Sequence, residues 1–176
     1  MDKFLFDKTE EEIKIYFKYK KQIIYLKNQI ESLERRLNKI EDDIKNANFT
    51  IDYYQNGVGI TERVQTSPNG SSFAEEQICK EITKLEKEHL IISKKIFRKK
   101  FEIREKENYI ENMEGNLKTL DEEDRRYIEL KYCDKKSVLQ IARSLNMAQA
   151  TAYRKGEEVI EIIAEYKNTL MFRKKA

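Results

Sequence analysis

The stretch Ser137-Val-Leu-Gln-Ile-Ala-Arg-Ser-Leu-Asn-Met-Ala-Gln-Ala-Thr-Ala-Tyr-Arg-Lys155 decides how the chain folds. Ile141, Ala142 and Leu145 are spaced as the inner face of a short helix. Ala142 falls where that helix would cross the next one, and a larger side chain there would push the two apart. Asn146 stands where a tight turn needs a left-handed backbone, and asparagine is the best choice there after glycine. Met147 and Ile141 are placed to fill the wedge between the helices. Ala148, Gln149, Ala150 and Thr151 then open the second helix. That helix should bury an aliphatic residue at position 152 and another three residues later, but Ala152 and Lys155 stand there. Gly156 also costs roughly 1 kcal/mol inside a helix against alanine. An inner face of Ala152, Gly156, Val159 and Ile163 resolves the conflict, because its small pair lets the helices approach closely.

Two crossed helices in this order offer the first turns of the second to a DNA major groove. Gln149, Ala150, Thr151 and Arg154 are the candidate base-reading residues. Glutamine can bond adenine through two contacts, and arginine can do the same with guanine. Lys135, Lys136, Ser137, Arg143, Tyr153 and Lys155 are the candidates for the phosphate backbone. From Lys135 to Lys155 there are five basic residues and no acidic one, whereas the acids lie at Asp121–Asp124 and Glu157–Glu158. The net charge of the chain is only +3. Affinity for double-stranded DNA must therefore come from this local clustering.

Upstream, apolar residues recur at Tyr16, Tyr19, Ile23, Leu26, Ile30, Leu33, Leu37, Ile40, Ile44 and Ala47, at unbroken intervals of three and four. An isolated surface helix drifts off so strict a repeat, so a coiled-coil seam is expected. The same alternation runs from Ile78 to Leu120, interrupted by His89, Lys99 and Lys106. Between the two lies a loop at about 49–73, which holds the only proline, Pro68, and three of the five glycines. An antiparallel hairpin is the simplest arrangement, with Ala47 near Ile78 and Tyr16 near Ile110. A parallel homodimer through the first helix competes with it, and two hairpins pairing into a four-helix bundle would satisfy both. Gly115-Asn116 is the expected bend before the C-terminal part. His89 is expected to be structural, since no second histidine exists to share a metal. Lys99 and Lys106 are expected to be aligned by neighbouring glutamates. The basic run Lys94–Arg104 is either a solvated face or a second phosphate-contacting strip.

Residues Leu120 to Ala164 resemble the promoter-reading C-terminal domain of bacterial sigma factors. The resemblance rests on Leu120-Asp-Glu-Glu123, Tyr127-Ile-Glu-Leu-Lys-Tyr132, Ser137, Ile141-Ala142, Leu145 and Met147. The whole chain is similar to phage sigma-like late-gene regulators of the RinA and ArpU kind, which place a charged helical region ahead of such a domain. Val64-Gln-Thr-Ser-Pro68 matches a stretch found in some of them. The resemblance implies a transcription regulator that binds DNA and docks on RNA polymerase. The chain departs from the pattern at Asn146, Ala152 and Lys155, which bears on the docking angle more than on the class.

The expected fold class is all-α: a long antiparallel coiled-coil hairpin over 1–118, followed by a helix-turn-helix domain over 119–176. Charged residues make up 38% of the 176 residues and apolar ones 39%, a balance that suits long exposed helices. No apolar run approaches the roughly 20 residues of a membrane span, and no signal-peptide pattern opens the chain. Cys79 and Cys133 stand alone without metal spacing and are expected to be free thiols in a reducing cytoplasm. No nucleophile with its base, phosphate loop, metal cluster or cofactor motif is found, so neither an enzyme nor a cofactor is expected. Two other classes compete with the regulator. One is a small terminase subunit for DNA packaging, which also joins a helix-turn-helix to oligomerising helices. The other is a coiled-coil interaction protein that does not bind DNA.

Overall fold

The computed structural model describes residues 3–48 and 73–173, in which every regular element is helical. Two long helices come first, α1 (Lys3–Lys45) and α2 (Phe73–Leu117). Three shorter-range elements follow: α3 (Glu122–Ile128), which runs on into a π-helical turn (Glu129–Cys133), then α4 (Val138–Ser144) and α5 (Gln149–Arg173). No helix among the described residues is long and apolar enough to cross a membrane. The loop expected at 49–73, with its Val64–Pro68 stretch, lies outside the described residues except for Phe73, which opens α2.

The described chain packs as two compact units, Met1–Leu26 with Glu102–Ala176, and Lys27–Phe101. Division by packing thus falls elsewhere than the division by periodicity at residue 118, because the start of α1 belongs with the C-terminal helices.

In the unit Lys27–Phe101, Ile30, Ile40, Ile92 and Ile96 are buried, and Leu33 and Leu37 are half-buried. Cross-helix pairs fix the direction. Gln29 meets Lys99, Glu34 meets Lys100, Arg36 meets Glu88, and Glu41 meets His89. Gln29 and Glu34 meet residues 99 and 100, whereas Arg36 and Glu41, further along α1, meet residues 88 and 89, so the two segments run antiparallel. The Lys99 ammonium donates to the Gln29 side-chain oxygen at 2.6 Å, so an amide rather than the expected glutamate aligns it. Ala47 does not continue the seam. Helix α1 has ended at Lys45, and Ala47 is exposed with φ 51°. There the Asn48 N–H closes back on the Asp43 carbonyl at 2.9 Å, a left-handed helix stop that satisfies the last carbonyls.

The other unit has two apolar cores, with the segment from α3 through the π turn between them. Ile128 and Tyr132 face the larger core, which joins Ile13, Tyr16 and Phe17 of α1 to Met113, Leu117 and Leu120 and to Val159, Ile160 and Ile163 of α5. Tyr127 and Leu130 face the smaller core with Ile141, Ala142 and Ala152. Tyr16 lies in the larger core and Ile110 is packed against it. Lys106 pairs with Glu102 at 3.1 Å and lies over the Tyr19 ring. Helix α2 runs through Gly115 and stops only at Leu117, so the change of direction comes at Lys118–Leu120. Asp121 then caps α3, its carboxylate accepting from the Asp124 N–H at 2.8 Å.

Candidate nucleic-acid interface

Ser137 opens α4 with a reciprocal cap. Its hydroxyl accepts from the Gln140 N–H, and the Gln140 side-chain oxygen accepts from the Ser137 N–H at 2.9 Å. The helix ends at Leu145 in a left-handed turn. Asn146 has φ 53°, and the Met147 N–H returns to the Ala142 carbonyl at 2.9 Å. The turn residue predicted from the sequence therefore does take the left-handed conformation. Ile141 and Ala142 are buried under it, with Leu145 and Met147 packed at the edge of the same core.

Helix α5 begins at Gln149, and its inner face is Ala152, Gly156, Val159 and Ile163, all buried. Gly156 has the close-contact role expected of it. A Cβ at position 156 would fall on the Tyr127 hydroxyl and lie 3.0 Å from its ring Cζ. Gly156 therefore lets α3 and α5 approach at a distance that no other residue permits. In the first two turns of the helix, Gln149, Ala150, Thr151, Tyr153 and Arg154 are all exposed. The four candidate base readers are thus all open to solvent.

The candidate phosphate contacts separate into two groups. Lys135, Arg143 and Tyr153 are exposed, Lys136 is half-buried, and among the described residues none of the three cations Lys135, Lys136 and Arg143 makes an ion pair. Lys135 itself is a left-handed stop, with φ 55°, where the Lys136 N–H closes on the Leu130 carbonyl at 2.9 Å after the π turn. Ser137 and Lys155 already have structural partners. The Ser137 hydroxyl is committed to its cap. Lys155 is turned inward, its ammonium 2.6 Å from the buried Asp124 carboxylate and 3.5 Å from Glu123. Burial works against that ammonium, but Asp124, with Glu123 and Asp121, holds its pKa above the usual lysine value. This pair explains how a lysine occupies a position expected to be apolar.

A second polar cluster escaped the sequence reading. Glu10 of α1 accepts from the Tyr132 hydroxyl at 2.8 Å and from Lys14 at 2.8 Å, with Lys131 at 3.2 Å. Burial pushes its carboxyl up, but Lys14, Tyr132 and Lys131 outweigh it and bring the pKa down to about 2. Burial and the Glu10 carboxylate together raise the Tyr132 phenol far above its ordinary value. Tyr132 and Lys131 lie over a hundred residues from Glu10 in sequence, so no local pattern could announce them. Among the described residues, no group of three or more His, Cys, Asp or Glu side chains could hold a metal ion. No family model matches this chain, and no curated protein or solved structure matches it.

Proposed function

We propose that this chain is a sequence-specific DNA-binding transcription regulator of the phage sigma-like kind. In this reading α4, the Asn146 turn and α5 form a helix-turn-helix, and the paired long helices form a coiled-coil hairpin. The observation that carries it is the exposure of Gln149, Ala150, Thr151 and Arg154 in the first two turns of α5. Each can reach a base edge while Ala152 and Gly156 anchor the helix from behind. The unpaired cations Lys135, Lys136 and Arg143, with the Tyr153 hydroxyl, would grip the phosphates on either side. Lys155 contributes chiefly by holding α5 against α3. The hairpin would serve as a dimerisation or docking surface, with RNA polymerase as the partner that the sigma resemblance suggests. Such a protein acts in the cytoplasm and carries no catalytic centre.

The test is recovery of genomic fragments bound by the purified chain, with Gln149→Ala/Arg154→Ala as the control. A discrete site upstream of an operon, lost in the double variant, is the expected result. Arg154→Ala alone should weaken that site by about 1–3 kcal/mol if Arg154 reads guanine. Equal loss on random DNA would make Arg154 a phosphate contact. Enrichment at a packaging site, by an assembly of many subunits, would favour the terminase reading. No enrichment at low or moderate salt would overturn DNA binding altogether.

A further inference from the structure

One cleft in the unit Met1–Leu26 with Glu102–Ala176 has no part in the DNA reading beyond its edge at Lys135. It has a volume of about 590 Å³ and lies between one face of α1 and the end of the π turn. Five lysines line it: Lys14, Lys18 and Lys21 from α1, and Lys131 and Lys135 from the other side. No carboxylate is among its lining residues. Among the described residues, the acid that pairs with any of the five is Glu10, shared between Lys14 and Lys131. Lys21 donates to the Cys133 carbonyl at 3.1 Å, capping the end of the π turn while keeping its charge at the cleft. Lys18 and Lys135 are exposed and have no ion-pair partner among the described residues. The interior is aromatic. Phe17 and Tyr132 line it as buried rings, and Tyr25, also lining it, is 63% exposed.

We propose that this cleft docks an acidic peptide segment of a partner protein, with one large apolar side chain inserted between the rings. The excess of positive charge selects an acidic occupant. The concave aromatic interior asks for an apolar anchor rather than a charge alone. A duplex backbone supplies charge but nothing to fill the interior. A flat lipid surface cannot enter a cleft. The tyrosine and lysine groups offer few fixed donors for a base edge, since the Tyr132 hydroxyl is held by Glu10.

The probe is a short fluorescein-labelled polyglutamate peptide with one central phenylalanine, titrated with the full chain and followed by anisotropy. Lys18→Glu and Tyr25→Ala alter exposed side chains and leave the core intact, and circular dichroism verifies their folding. The expected result is saturable binding, weakened about tenfold by Lys18→Glu and by removal of the peptide's phenylalanine. Lys87→Glu, an exposed change on the other unit, should leave it unaltered. Gln149→Ala/Arg154→Ala should also leave it unaltered, which separates this cleft from the DNA-binding reading. Absence of binding, or binding indifferent to Lys18→Glu or to the phenylalanine, would overturn the proposal. Displacement of the peptide by oligothymidylate at lower concentration than by unlabelled peptide would also overturn it, in favour of a nucleic-acid cleft.

Discussion

A methyl group at position 156 has nowhere to go. It would fall on the hydroxyl of Tyr127, a side chain only 1% exposed and therefore unable to swing aside. Gly156→Ala ordinarily stabilises a helix by about 1 kcal/mol, but here overpacking should reverse the sign. A net loss of about 1–3 kcal/mol in urea unfolding is expected. A gain would mean that α3 and α5 are further apart than described. The opposite substitution applies at Ala47, whose φ of 51° strains any side chain. Ala47→Gly should add about 0.5–1 kcal/mol in the same measurement. Lys155 is a third case. Removing its ammonium strands the buried Asp124, so Lys155→Ala should lower stability by about 1–3 kcal/mol. A loss of DNA affinity without loss of stability would return Lys155 to the phosphate group. Of these residues, the sequence announced Asn146 and the small inner pair of α5, because turn chemistry and steric size are local. It did not announce the inward turn of Lys155, because Asp124 lies on another helix.

Elements differ in how far their own residues specify them. The helical character of α1 and α2 was legible because a three-four repeat is written into neighbouring residues. Its polar partners were not, because Gln29 meets Lys99 only once the register between the helices is set. Nor was the π turn foreseen. It arises where Glu129–Cys133 must serve two cores, with Ile128 and Tyr132 facing one and Tyr127 and Leu130 the other. Helix α4 is the opposite case, seven residues long and dependent on its cap. Ser137→Ala should cost about 1 kcal/mol. Amide exchange in α4 should quicken more than in α5, and equal quickening of both would show that the cap belongs to the pair.

Across the molecule, acid should act through Glu10. Its folded pKa of about 2 lies below the usual 4.5, so the charged carboxylate stabilises the fold above pH 4.5. That contribution is lost progressively as pH falls from about 4.5 towards 2. The melting temperature should decline over this window, and Glu10→Gln should flatten the decline. An unchanged slope would mean that other carboxylates govern acid unfolding. The same contact explains why the division at residue 118 was the natural one from sequence and not the one that packing gives. Periodicity ends near Leu117, whereas burial of Ile128, Tyr132 and Val159 depends also on Ile13, Tyr16 and Phe17. A fragment of residues 119–176 should therefore melt below the full chain. Equal melting would restore the periodic boundary.

The larger core also has a consequence for the order of events during synthesis. Ile13, Tyr16 and Phe17 leave the ribosome well ahead of Val159, Ile160 and Ile163, with which they share this core. At about 5–20 residues per second, the early helix waits on the order of ten seconds or more for its partners. During that interval one apolar face of the nascent α1 is open to any chaperone or neighbouring chain. Folding of this unit therefore waits until α5 has been made, and a pause in translation ahead of α5 would lengthen the exposure.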